Sequence, residues 1–286
     1  MNIFHSKRYL YLFIAALSIN FLAIGCKKSC RRRTTSFPNI PEKHHSEALL
    51  TPKIQSEFQK EAGRYPTRKA PETLIMCFND KVLSGALSKR KFSSYFGVNF
   101  LDDNPSVAIT SFGMTAPINA MRLDRVIEWG VKRVIAIGSA CSLQKYVKPG
   151  DIVVCNKAIR DEGTSHHYLP YSKYAYPSKA LFDKLIHTLK DMKLKYIVGP
   201  TVTTDGFYRF TKKEAQEYQK EGVLTVEMEA AALFAVAQFR NIEIVALFTP
   251  TDSYANFTWE KARGYEKTKL KTLDTLFEVA LKLATT

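Results

Sequence analysis

The sequence predicts an α/β domain: a three-layer fold with a central, mostly parallel or mixed sheet flanked by helices. Three observations predict it. From residue 72 to the C-terminus, short apolar runs alternate with amphipathic stretches. The runs are of strand length and apolar at successive positions, the pattern of strands covered on both faces. The stretches between them open and close with helix-terminus residues. Such alternation is solved by a sheet sandwiched between helices, and ligands in such sheets sit at the C-terminal ends of strands.

The strand runs are residues 74–78, 107–110, 133–138, 151–155, 195–199, 224–228 and 244–248. Between them, residues 117–129 have Pro117 in the first turn and Gly130 at the end, the usual asymmetry of helix termini. Ser178 stands where an N-cap belongs, ahead of Leu181, Leu185 and Leu189 on one face. Thr211 and Glu214 have capping-box spacing. Residues 230–240 are apolar nearly all round and should be buried. A last helix over 259–284 places Leu270, Leu273, Phe277, Ala280 and Leu281 inward. Ahead of the domain (72–286), residues 37–71 form a proline-bearing linker with one short helix near 54–62.

A net charge of +15 over 286 residues invites a nucleic-acid reading, but its distribution argues against one. Lys7, Arg8, Lys27, Lys28, Arg31, Arg32 and Arg33 all precede the first acidic residue, Glu42. The remaining excess is spread along the domain without a basic helix or an aromatic-basic motif. The five cysteines are odd in number and lack C-x-x-C spacing, so neither a disulfide framework nor a metal site is expected.

Residues 1–36 read as a membrane-targeting segment. Two cations precede the apolar run 9–26, and a small residue precedes Cys26, as in a bacterial lipoprotein signal with Ala23-Ile24-Gly25-Cys26 as the processing site. Ala23 stands where Leu or Val is usual. The same run is near the minimum length of an uncleaved anchor. Membrane association is expected, on a side left open, and a cytoplasmic protein if the start is misassigned.

Three segments of the domain resemble the nucleoside phosphorylase superfamily, in order and at the expected separations. The first runs from Ala136-Ile137-Gly138-Ser139-Ala140-Cys141 through Pro149-Gly150-Asp151 to Arg160-Asp161-Glu162-Gly163-Thr164-Ser165. The second is Thr203-Thr204-Asp205-Gly206-Phe207-Tyr208-Arg209. The third is Val226-Glu227-Met228-Glu229-Ala230-Ala231, with Thr251-Asp252-Ser253 further on. The likeness is to the uridine- and purine-phosphorylase branch. It implies cleavage of a nucleoside by phosphate, with phosphate as co-substrate, no metal and no organic cofactor, in a homo-oligomer.

Breaking an N-glycosidic bond builds positive charge on the ribose and negative charge on the departing base, so an enzyme must grip the sugar, stack the base and neutralise the leaving group. The resemblance implies Glu229 for the ribose hydroxyls, since charge-assisted bonds to a carboxylate are the strong ones, with Met228 packed beside the sugar. The plainer reading of Glu229 is a helix cap. Phe207 is implied as the base platform, with Tyr208 as a second wall or as packing. Asp205 reads as an organiser of its turn. Asp252 is implied as the general acid and tilts the substrate toward purines. Adjacent His166 and His167 read as packing or surface, and His44 or His45 as a residue lent to a neighbouring subunit.

The phosphate site departs from the family. Where the family has a G-D-P-x-R turn, this chain has Cys77-Phe78-Asn79-Asp80-Lys81, and Ala136 stands at a second arginine position. Gly138, Ser139 and Lys81 remain as phosphate-binding candidates: backbone N–H groups, a hydroxyl and a point charge. Three readings therefore stand: phosphorolysis, hydrolysis with water oriented by Asp80, and nucleoside binding without turnover.

Overall fold

The computed structural model describes residues 40, 42–78 and 80–286. The membrane-targeting reading of residues 1–36 lies outside the described residues. In the leading segment a short 3-10 turn (Lys43–His45) precedes α1 (Pro52–Glu61), close to the helix expected at 54–62. The Thr51 hydroxyl accepts from Ile54 N at 3.2 Å, and Pro52 occupies the first turn, where its missing N–H costs nothing.

The domain continues with β1 (Thr73–Cys77), α2 (Asp80–Lys89), β2 (Phe92–Tyr95), β3 (Val98–Leu101), β4 (Val107–Ser111) and α3 (Ala116–Trp129). Then come β5 (Arg133–Ser142), β6 (Val153–Asp161), the short α4 (Ser165–Tyr168), β7 (Tyr174–Ala175), α5 (Lys179–Asp191) and β8 (Ile197–Thr204). The chain ends with α6 (Lys212–Lys220), β9 (Thr225–Glu227), α7 (Ala230–Arg240), β10 (Glu243–Ser253), β11 (Glu260–Lys261) and α8 (Glu266–Ala284). All seven expected strands are present.

One mixed sheet joins the strands, and part of it closes on itself. β5 runs parallel to β10, β10 antiparallel to β6, and β6, β8 and β9 run parallel in turn. β9 returns antiparallel to the end of β5, closing a ring. From β5 an open wing extends through β1, β4, β3 and β2. β5 pairs with β1 through Arg133–Ile137 but with β9 only at Cys141 and Ser142. Residues 138–140 lie between these two partners, so the sheet forks there. Gly138 is required at the fork: a Cβ would come within 2.7 Å of the Phe78 ring.

Helices cover both faces. α3 and α7 pack Leu123, Val126, Leu233 and Phe234 on one face. α5, α8 and α2 pack Leu185, Leu189, Phe277, Ala280 and Val82 on the other. Residues 230–237 of α7 are all buried, as its unbroken apolar surface requires.

Three expectations are corrected, and one feature is new. The last helix begins at Glu266; residues 260–261 pair antiparallel with Ser253 and Asp252 instead. Leu270 is half exposed because the inward stripe of α8 starts only at Thr272. Ser178 does stand at the N-cap, but its hydroxyl accepts from Ile244 N at 2.9 Å and ties α5 to β10 rather than capping its own helix. The β2–β3 hairpin was not anticipated: its turn is Phe96-Gly97, both at positive φ, where Asn-Gly is the usual signal.

Candidate active site

The site is built at the end of β9. Glu227 turns its carboxylate back onto the start of α7. Its Oε2 accepts from Glu229 N at 2.8 Å and Ala230 N at 2.7 Å, and its Oε1 accepts from the Thr203 hydroxyl. Glu227 therefore does the capping, where the helix N-terminus favours negative charge. Glu229 occupies the N-cap position but makes no side-chain cap bond. Its Oε1 accepts from Thr115 N at 2.7 Å and its Oε2 from Met228 N at 3.2 Å. Two backbone donors aim this carboxylate away from its helix and leave lone pairs for a ligand. Burial pushes both carboxyls well above the ordinary range, and for Glu227 the neighbouring Glu229 adds to the rise.

The donor to Glu229 is held in a rare conformation. Thr115 has φ 93° and ψ 141°, on the turn between β4 and α3. A β-branched residue at such φ is strained, at about 1–3 kcal/mol. Thr115→Gly should relieve that strain, offset by the entropy glycine loses on folding, about 0.5–1 kcal/mol. The expected net effect is a melting temperature about 2–4 °C higher, accompanied by a raised KM as the donor loosens. A melting curve and initial rates check both; a lowered melting point refutes it.

Phe207 and Tyr208 sit on the turn after β8, closed by Arg209 N donating to Gly206 O at 2.7 Å. Asp205 organises this turn as expected, its Oδ2 accepting from Gly163 N at 2.8 Å and joining the loops after β6 and β8. Phe207 is 58% exposed and lines a cavity. Tyr208 is 91% exposed and stands outside the lining, edge-on to Phe207 at 4.9 Å. It braces the Phe207 ring rather than forming a second wall.

Asp252 reaches the same cavity through a bulge. β10 pairs Pro250 with Ala140 and then Asp252 with Cys141, so Thr251 is the extra residue. A bulge of this kind re-aims a side chain. Asp252 is half-buried beside Cys141, whose thiol is pushed up by burial and by the Asp252 carboxylate.

The cavity these elements enclose, about 170 Å³, lies at the fork, at the C-terminal ends of β1, β5, β8, β9 and β10. Phe207, Met228, Glu229, Asp252 and Ser139 all line it. Gly138 does not; it makes room for Phe78, which does. Lys81 is exposed on the first turn of α2 and is not in the lining; of the segment after β1 only Phe78 reaches the cavity. The wall also holds Met114, Phe210, Tyr254 and Trp259, which the motifs did not single out.

The Arg160 guanidinium donates to the Ser165 hydroxyl at 2.9 Å, Pro170 O at 2.7 Å and Leu169 O at 3.0 Å, pinning the turn around α4. Burial, with Glu214 and Asp205 nearby, pushes Asp161 up to about 6. His166 is buried and stacked on Tyr171, while His167 is exposed. The His44 ring meets His166 O at 3.0 Å within the same chain.

The family profile described as phosphorylase superfamily matches residues 85–281. The chain is 30% identical over 152 residues to a guanosine phosphorylase of Halorubrum lacusprofundi, a match covering 53% of this chain and spanning 63% of that relative's length. It is 29% identical over 181 residues to a DeoD-type purine nucleoside phosphorylase of Streptococcus gordonii, covering 62% of this chain and 76% of the relative. Among solved structures, uridine phosphorylase from Vibrio fischeri aligns with a TM-score of 0.67 at 23% identity, covering 76% of this chain and 93% of that one. Purine nucleoside phosphorylase from Toxoplasma gondii aligns with a TM-score of 0.66 at 18% identity, covering 78% and 95%. These two share the fold. With the family profile matched over more than half its length, the chain belongs to the phosphorylase superfamily.

Proposed function

We propose that the protein is a nucleoside phosphorylase that cleaves the N-glycosidic bond of a purine nucleoside with phosphate, giving free base and ribose-1-phosphate. One observation carries this reading: Phe207, Glu229 and Asp252, drawn from three distant segments, line one cavity at the fork of the sheet. In this reading Phe207 stacks the base, and Glu229 with Met228 holds the ribose. A phosphate oxygen attacks the anomeric carbon from the Ser139 side as the bond to the base breaks. Asp252 gives its proton, or a hydrogen bond, to the leaving base. Among the described residues the cavity lining has no Lys or Arg, so phosphate must draw a cation from elsewhere. Lys81 by movement, or a residue of a second copy in a homo-oligomer, fills that role. Residues 1–36 hold the enzyme at a membrane.

The missing cation favours hydrolysis as the second reading, with water in place of phosphate. Inosine, adenosine and uridine incubated with the full chain, with and without phosphate, separate the two. The expected result is ribose-1-phosphate from inosine, formed only when phosphate is present. Free ribose at the same rate without phosphate would establish the hydrolase. Saturable binding with no product would leave a nucleoside-binding protein.

A further inference from the structure

The cavity does not end at its aromatic rim. A second hollow of about 310 Å³ adjoins it, and the two share Phe210, Tyr254 and Trp259 as a common wall. Behind the wall the hollow is lined by Thr211, Lys212 and Ala215 at the start of α6 and by Phe257 and Thr258 on the loop between β10 and β11.

The wall stands at the end of the cavity assigned to the base. Tyr254 neighbours Cys141 and Asp252, whereas Glu229 is bonded to Thr115 on the β4–α3 turn. Two of the three wall residues are fixed. Phe210 stacks on Tyr254 at 5.6 Å and on Tyr218 at 6.1 Å. Trp259 is different: it is 63% exposed, and among the described residues it has no ring partner. The loop that carries it is anchored at Tyr254, Ala255 and Phe257, whose backbone groups bond to Ser142 O, the Gln219 amide and Tyr254 O, whereas the Trp259 side chain itself makes no hydrogen bond or ring contact among the described residues. Trp259 is therefore the part of the wall that yields.

Size points the same way. Small-molecule sites usually hold about 300–1,000 Å³, and the first cavity alone falls short of that at about 170 Å³. Opened past Trp259 into its neighbour, the site enters the range. A hollow of about 150 Å³ is enough for a benzene ring, so the second one accommodates a ring-sized apolar group with aromatic faces to stack on.

We propose that this site takes purines and purine nucleosides whose base carries an apolar, ring-sized substituent on the edge remote from the sugar. The purine lies on Phe207, and the substituent displaces Trp259 and enters the second hollow against Phe210 and Tyr254. This rests on the reading of the first cavity as the base site, but not on turnover.

Calorimetric titration of the full chain with adenine and with N6-benzyladenine tests it. The expected result is binding of the benzyl derivative about tenfold tighter or more, the gain from burying a phenyl ring. Two substitutions fill the hollow from different sides, Ala215→Phe from α6 and Thr258→Trp from the loop. Either should bring the ratio of the two affinities down toward one, and if the buried Ala215 site does not fold when enlarged, the loop variant carries the test. Adenine binding with no preference for the benzyl derivative overturns this proposal alone. A preference that survives both substitutions overturns it too. If neither base binds, the base-site reading falls with it.

Discussion

Glu229→Gln is expected to lower kcat/KM for the nucleoside by about 10³-fold in a protein that still folds, because hydrogen bonds to a charged group contribute about 1.5–3 kcal/mol each and two ribose hydroxyls are served. Gln keeps the shape but offers one acceptor atom where the carboxylate offers two. Its amide nitrogen must face either Thr115 N or Met228 N, both of which are donors. The loss should appear in kcat as well as KM, since the carboxylate also steadies positive charge growing on the ribose ring. A variant within threefold of wild type would show that Glu229 does not hold the sugar.

The same substitution has an opposite effect on stability. Burial raises both Glu227 and Glu229 above their ordinary values. Above the ordinary carboxyl range the native state therefore holds protons that the unfolded chain has released. Stability then falls as pH rises through that window. Wild-type protein should melt at a lower temperature at about pH 8 than at about pH 5 through this pair, and Glu229→Gln should flatten the decline. Activity lost while thermal stability at alkaline pH is gained is a signature that simple misfolding does not produce.

How far the sequence carried these conclusions differs from part to part. The seven strands and the buried helix α7 were legible because their apolar runs are long enough to outvote local signals. The ring closure was not, because nothing in a run of apolar residues says that β9 returns to the end of β5. Glu229 and Asp252 were found through motif residues, but their surroundings were not. That Glu227 would cap α7 and so free Glu229 depends on Thr203, which lies far back in the chain. That Asp252 would face the cavity depends on one extra residue in β10. Trp259 was hidden inside a stretch whose composition suits a helix, and only its pairing with the end of β10 makes it a loop. For Tyr208 the motif left two roles open, second wall or packing, and the structure shows the packing: it lies edge-on against Phe207 at 4.9 Å and outside the cavity lining.

Asp252→Asn is the second large effect, and its pattern matters more than its size. Positioned proton donors contribute about 10²–10⁴ in rate, so kcat/KM for inosine is expected to fall by about that factor. The reason is that a purine leaving as an anion needs the proton, and Asn can supply a hydrogen bond but no proton. A base that is already cationic leaves without one. 7-Methylguanosine should therefore be cleaved by Asp252→Asn at close to the wild-type rate. The surroundings favour this selectivity: the bulge at Thr251 sets the direction of the side chain, and the half-buried Cys141 thiol stays protonated beside it. The substitution is of equal volume at a half-buried position, so the backbone register of β10 against β5 should survive it. Rates measured side by side on inosine, 7-methylguanosine and uridine decide the matter. Equal losses on all three would mean that Asp252 only shapes the wall. A loss confined to inosine would place the proton transfer on this carboxyl and the substrate among the purines.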